Sequence, residues 1–150
     1  LLASRVTGPL IAHAVTERVF RRSFVSVFSP QHPPGEAELR QHWQVLRRHD
    51  GARLSHRLSH YMGDRKRNAT RWEAALEHER VPLHFIWGMA DPRSGAHIAH
   101  EIRHRLPAAE LVALGDVGHY PQIEVPELVA QEIVEIGALG LETRQGNGGD

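Results

Sequence analysis

The sequence predicts an α/β protein in which a series of helices precedes a short parallel sheet. Through the first 80 residues, apolar side chains recur at steps of three and four without any strand pattern, which is typical of amphipathic helices. Two short apolar runs follow, at residues 83–87 and 110–114, with a helical pattern between them. Such a strand–helix–strand unit nearly always forms two parallel strands joined by a right-handed crossover.

The helical part is predicted as short helices separated by glycine and proline. Helices are predicted over residues 1–28 (as a pair), 36–48, 53–62 and 68–79. Gly8-Pro9 interrupts the first pair, and three prolines make residues 29–35 a loop. Gly63-Asp64 is predicted to separate the last two helices. The first 80 residues therefore predict an all-helical region.

The sheet part begins with a strand that is apolar enough to be buried on both faces, as in parallel sheets. A helix is predicted over residues 94–105, and Pro107 ends it before the second strand. The last helix is predicted over residues 126–139. The sequence thus divides into residues 1–80, residues 81–140 and a polar, glycine-rich end, residues 141–150, predicted to be a disordered tail.

Composition excludes several classes of function. The 18 basic and 18 acidic residues balance, so no strong field favours nucleic acid or an anionic membrane surface. Without cysteine there is no disulfide framework, no thiolate nucleophile and no zinc knuckle. No apolar run approaches the roughly 20 residues that cross a bilayer. The expected partner is therefore a small molecule, such as a substrate, or a protein, while localisation and oligomeric state are left undetermined.

An acid and an imidazole lie on the two loops that directly follow the strands. Asp91 lies in Gly88-Met89-Ala90-Asp91-Pro92, and His119 follows Gly118 in the second loop. Ligands and catalytic groups gather beyond the carboxyl ends of parallel strands, so we expect the two side chains to meet. A carboxylate that bonds one imidazole nitrogen leaves the other free to accept a proton from a nucleophile or from water.

Other interpretations of these histidines and acids remain open from the residues alone. An Asp-Pro after a strand is also a common turn or helix cap, and Asp116 is a rival acid three residues before the histidine. The pairs His56 with His60 and His100 with His104 have the i, i+4 spacing of metal ligands. His100-Glu101-Ile102-Arg103-His104 has the letters of an H-E-x-x-H motif, whereas His56 to His60 does not. Such spacings arise by chance in a chain with 12 histidines, so no metal site is predicted.

Residues 81–126 resemble the C-terminal third of the α/β-hydrolases. Gly88-x-x-Asp91 is similar to that family's acid turn, and Gly118-His119 to its histidine loop. Upstream, Arg71-Trp72 followed by Ala74-Ala75-Leu76 resembles the cap of epoxide-hydrolase-like members. His119-Tyr120-Pro121-Gln122, with Glu124 and Pro126 after it, is most similar to the mesoderm-specific-transcript branch.

The resemblance implies a helical cap over residues 1–80 and the C-terminal part of the hydrolase core, its last two strands and flanking helices, over residues 81–140. It implies Asp91 as catalytic acid and His119 as base. The family's nucleophile precedes the cap on a Gly-x-Ser-x-Gly-like elbow, and no serine here lies between glycines at that spacing. We therefore expect a fragment whose nucleophile half is absent, inactive by itself and poorly stable, because two strands cannot bury both faces.

The implied activity is hydrolysis of a small, largely apolar ester, epoxide or haloalkane without a cofactor or metal. A serine nucleophile would favour esters and an aspartate the other two, and this sequence leaves the choice open. Tyr61 and Trp43, both in the cap region, are predicted substrate contacts, with packing as the alternative role. The alternative function is a non-catalytic interaction protein built on the hydrolase scaffold.

Overall fold

A computed structural model describes residues 15–78 and 80–146 of the chain. Two compact units divide it: a helical unit, Leu1–Ser26 with Pro34–Arg80, and a sheet unit, Val27–Pro33 with Val81–Asp150. The helix pair predicted around Gly8-Pro9 begins outside the described residues. The segment Val27–Pro33, predicted as part of the helical region, lies in the sheet unit, because Phe28 and Ser29 are buried there.

The helical unit contains four described α-helices. They are α1 (Glu17–Val25), α2 (Glu36–Arg47), α3 (Gly51–Leu58) and α4 (Tyr61–Glu77), with a 3₁₀ turn at Arg48–Asp50 between α2 and α3. His49 and Asp50 adopt positive φ angles of 51° and 57° in that turn. Thr16 caps α1 by accepting a hydrogen bond from the Val19 amide.

The predicted break at Gly63-Asp64 is wrong, because both residues lie inside α4. Asp64 falls in the first turn of this helix, where an acidic side chain interacts favourably with the helix dipole. Its carboxylate pairs with Arg67, and its carbonyl accepts a hydrogen bond from the Asn68 side chain. These local bonds stabilise the first turns of α4 and offset the cost of a helical glycine.

Aromatic rings hold α1 against α2. The Phe20 ring lies 5.5 Å from the Trp43 ring and 5.3 Å from the Phe24 ring, measured between centroids. The Arg21 guanidinium adds an ion pair to Glu36 at 2.8 Å. Packing of large rings therefore supplies the contact between these two helices, with a surface ion pair of small energetic value beside it.

The sheet unit has the predicted strand–helix–strand order. Its elements are β1 (His84–Gly88), α5 (Ala96–Arg105), β2 (Glu110–Leu114), α6 (Pro121–Glu124) and α7 (Pro126–Gly146). The strands are parallel, with Phe85 opposite Leu111 and Gly88 opposite Leu114. The two predicted parallel strands are thus confirmed, and the architecture is that of an α/β fold.

The last helix is longer than predicted. The helix α7 continues to Gly146, beyond the predicted end at residue 139. It includes the start of the tail predicted to be disordered over residues 141–150, of which residues 147–150 lie outside the described residues. Leucine, glutamate, arginine and glutamine between residues 139 and 146 are good helix formers, so the helix continues through them. Among the described helices, none combines the length and apolar character needed to cross a membrane.

Glycine lets the loops after β1 and β2 pack backbone against backbone. A Cβ atom on Gly88 would lie 1.9 Å from the Gly118 carbonyl oxygen and 2.7 Å from that of Val117. On Gly118 it would lie 2.6 Å from the Ser29 amide nitrogen. No real Cβ tolerates such distances, so both positions require glycine for close approach, and neither has a positive φ.

We predict that Gly88→Ala destabilises the protein by about 1–3 kcal/mol or more, because the added methyl overlaps backbone that cannot move aside. Gly115→Ala is the matched control: nothing lies within 4 Å of its Cβ position, so its effect should be close to zero or slightly stabilising. Urea unfolding measures both. Equal stabilities for the two variants would contradict this account of the loop packing.

Candidate functional site

The Asp91 carboxylate is buried where the chain turns after β1. Its side chain is only 4% exposed. Oδ1 accepts a hydrogen bond from the Arg93 amide at 2.8 Å, and Oδ2 accepts one from the Ser94 hydroxyl. Oδ2 also lies 2.7 Å from Nδ1 of His119. The structure therefore brings the two predicted loop residues together at the carboxyl ends of neighbouring strands.

This contact assigns the histidine tautomer. An ionised carboxylate only accepts hydrogen bonds, so Nδ1 of His119 carries the proton that it donates to Asp91. In the neutral ring, Nε2 is then the acceptor. The ring is 39% exposed, in contrast to the buried carboxylate. An imidazole held in this way can act as a general base through Nε2, provided that a proton donor is positioned next to it.

The hydrogen bonds keep Asp91 ionised. Burial by itself disfavours the charged form and is the largest influence, raising the pKa. The bonds from Ser94, from His119 and from the Arg93 amide together outweigh it, so the pKa of Asp91 lies below its ordinary value. The group is consequently a carboxylate at neutral pH, able to stabilise a positive charge on the neighbouring imidazole.

Residues 115–120, which we call the histidine loop, are fixed through their backbone. The His119 amide donates to the Val27 carbonyl at 2.9 Å. The amides of Gly118 and Tyr120 both donate to the carboxylate of Glu124. The Tyr120 ring packs edge-on to the His119 ring, 4.9 Å between centroids. The imidazole is thus positioned both at its side chain and along its main chain.

A cavity of about 270 Å³ opens beside the pair. Its polar side chains are Asp91, Ser94, His119 and Gln122, and its apolar side chains are Ile86, Trp87, Pro121 and Val129. The Trp87 indole is held by a hydrogen bond to the Ser94 carbonyl at 2.6 Å. A mostly apolar wall with a few convergent polar groups is typical of sites for small organic ligands.

Two further residues of this site, Ser94 and Glu124, are not predicted from the sequence. Ser94 was interpreted only as part of a helix, although its place three residues after the acid lets its hydroxyl return to Asp91. Glu124 was noted only as part of a family resemblance. Its acidic side chain near the histidine loop was a signal, but which amides it bonds depends on the tertiary fold.

The other predicted residues lie elsewhere. Asp116, the rival acid, has a side chain that is 65% exposed and lies 3.5 Å from His32. Trp43 packs against Phe20 in the helical unit, which supports its alternative role in packing. Tyr61 is 57% exposed in the same unit. Substrate contact by Trp43 and Tyr61 stays a prediction.

The histidine pairs do not form a metal centre with further ligands. The rings of His56 and His60 lie 6.5 Å apart, edge to face. Within residues 15–78 and 80–146, no three histidine, aspartate or glutamate side chains converge as a metal site would require.

The chain is similar to a protein named as a hydrolase and to mesoderm-specific transcript proteins. It is 36% identical over 129 residues to the Mycobacterium tuberculosis protein named "Putative hydrolase LipZ", covering 86% of this chain and 45% of that protein. It is 36% identical over 123 residues to the mesoderm-specific transcript protein of Mus musculus, and 35% identical to the Homo sapiens homologue. These similarities support a hydrolase-like family.

The matches cover most of this chain but less than half of each relative. They cover 81% of this chain and 37% of the mouse and human proteins. The chain therefore spans less than half the length of the curated relatives that it matches. No protein-family model matches it.

We predict that Asp91→Asn lowers the free energy of unfolding by about 1–3 kcal/mol at neutral pH, because it removes the charge from three hydrogen bonds. The pKa of Asp91 is lower in the folded state, so the ionised form stabilises the fold above the unfolded-state pKa. That stabilisation is lost as the pH falls through the folded-state pKa. The difference between wild type and variant should therefore shrink below about pH 4.

Urea unfolding across this pH range measures the effect. Asp116→Asn is the control, since its exposed carboxylate should contribute no more than about 0.5 kcal/mol. A difference between wild type and Asp91→Asn that stays constant down to strongly acidic pH would contradict the stated ionisation of Asp91.

Proposed function

We propose that this chain supplies the acid and the base of a nucleophile–histidine–acid triad in an α/β-hydrolase. The observation that carries the proposal is the buried Asp91 carboxylate bonded to Nδ1 of His119, on loops that follow two parallel strands. Similarity to the protein named "Putative hydrolase LipZ" supports the same class. Asp91 is the acid, His119 the base, and the helical unit acts as the cap.

In the proposed reaction, the His119 ring accepts a proton through Nε2 while Asp91 holds Nδ1 and stabilises the resulting imidazolium. With a serine nucleophile, the first proton comes from the serine hydroxyl and passes to the alcohol that leaves as the acyl intermediate forms. The second comes from the water that hydrolyses this intermediate and returns to the serine oxygen. With an aspartate nucleophile, the proton comes from the water that hydrolyses the ester formed on that residue.

The nucleophile in this proposal lies outside the 150 residues. Ser94, the serine beside the pair, directs its hydroxyl to the Asp91 carboxylate, and Ser29 donates to the Gln31 side chain. Neither hydroxyl bonds to His119, so neither fits the role of activated nucleophile. We therefore expect the 150 residues alone to be inactive.

The proposed substrate is a small, largely apolar ester, epoxide or haloalkane. Apolar side chains along the cavity, Ile86, Trp87 and Val129 among them, favour an apolar body, and the limited volume favours a small one. In the cap, exposed Tyr61 is the better candidate for a substrate contact, because Trp43 already packs against Phe20.

The test uses the protein encoded by the complete reading frame that contains this chain, assayed with p-nitrophenyl butyrate, styrene oxide and 1-chlorobutane. We predict that Asp91→Asn lowers kcat for the substrate turned over by about 10⁴-fold and His119→Ala by about 10⁶-fold, as loss of a triad acid and of a triad histidine does. His100→Ala, an exposed histidine on α5, should leave kcat unchanged.

The outcomes separate the candidate functions. Turnover that survives His119→Ala would remove this histidine from the mechanism. A complete protein that folds, lacks a nucleophile upstream of the helical unit and turns over none of the three substrates would instead be the non-catalytic interaction protein.

A further inference from the structure

The carboxylate of Glu124, which is not part of the Asp91–His119 pair, accepts hydrogen bonds from three backbone amides. Glu124 Oε2 accepts hydrogen bonds from Gly118 at 2.7 Å and from Ser29 at 3.0 Å. Glu124 Oε1 accepts one from Tyr120 at 3.1 Å. Two of the three donors are the residues on either side of His119. The third lies 95 positions away in sequence, in the segment that joins α1 to α2.

We propose that Glu124 is a positioning residue that holds the histidine loop and thereby fixes the His119 ring against Asp91. Only the effect of Glu124 on turnover rests on the proposed function. The geometry itself concerns His119, whatever reaction the imidazole serves.

The bonds form a closed arrangement around the histidine. The His119 amide donates to Val27, and two residues on, the Ser29 amide donates to the same carboxylate that holds Gly118 and Tyr120. Every amide from residue 118 to residue 120 is therefore bonded, and the partners belong to only two places in the fold. Shifting the His119 Cα would require several of these bonds to break together.

Local structure brings the Glu124 side chain back to the loop. Pro121 begins the short helix α6, and the Glu124 amide donates to the Tyr120 carbonyl at 2.9 Å. The Tyr120 amide donates in return to the Glu124 carboxylate. This reciprocal pair holds the half-buried side chain in one place, with its second oxygen left for Gly118 and Ser29.

Close packing shows why a carboxylate is needed here. Gly118 lies against the segment Val27–Pro33 so closely that a Cβ would be 2.6 Å from the Ser29 amide nitrogen. The amides of Gly118 and Ser29 therefore lie close together, and both donate to the same oxygen, Glu124 Oε2. A charged oxygen bonds both at once, and such bonds are stronger than neutral ones.

Glu124→Gln tests the proposal, because glutamine keeps the shape but has one acceptor oxygen and places an NH₂ donor against an amide donor. Glu127→Gln is the control: it removes the same charge from an exposed side chain three residues later. Both are made in the protein encoded by the complete reading frame and are compared well below their melting temperatures, so that unfolded molecules do not contribute.

In Glu124→Gln we expect the downfield Nδ1 proton resonance of His119 to be lost or broadened, as in Asp91→Asn. Amide exchange at Ser29, Gly118 and Tyr120 should rise by about tenfold or more. We also expect kcat to fall by about 10–100-fold with KM changed by less than about threefold, since misplacing a reacting group affects chemistry more than binding. Glu127→Gln should change none of these.

A lower melting temperature with the His119 resonance and kcat both unchanged would overturn the proposal and make Glu124 a structural residue only. If Glu124→Gln does not fold, Glu124→Asp decides, because aspartate keeps the charge but cannot reach all three amides. In the wild-type protein, the three amides must also share one opening free energy, and independent opening would overturn the proposal. If Glu124→Gln alters the His119 resonance as expected in a complete protein that turns over no substrate, the positioning role of Glu124 stands and only the proposed function is wrong.

Discussion

An ionised carboxylate that is withdrawn from water must be met by hydrogen-bond donors, or its burial would cost several kcal/mol. Asp91 meets three: the Arg93 amide and Ser94 hydroxyl from its own turn, and the His119 ring from the next loop. Two donors lie in the same turn as the carboxylate, and all three together keep the group ionised. The third ties the acid to a residue 28 positions later and so depends on the whole sheet unit.

The parallel pairing of β1 with β2 makes that third bond possible. Gly88 and Leu114 are the last paired residues, so the chain leaves both strands at the same edge. The Met89 amide then donates to the Leu114 carbonyl, and the Ala90 amide to that of Val117. These bonds continue the hydrogen bonding between the strands into the two loops. The backbone of the loop that carries Asp91 is thereby held next to the backbone of the histidine loop.

Two carboxylates divide the task of holding the histidine. Asp91 bonds the imidazole ring and can stabilise charge on it, whereas Glu124 bonds the main chain on either side. The segment Val27–Pro33 contributes the Val27 carbonyl and the Ser29 amide to the same arrangement. The histidine is thus bonded at both its ring and its main chain, and a general base must be held in position in this way to meet its proton donor.

The sequence by itself determined the helical first part, the parallel strand pair and the two loops that carry Asp91 and His119, because periodicity and turn residues report local structure. Only the tertiary structure decided that Val27–Pro33 packs in the sheet unit and that Glu124 bonds three amides. It also kept Gly63 inside a helix, against its local signal. Contacts between residues far apart in the chain leave no periodic pattern, so the sequence shows which side chains are present but not which residues they contact.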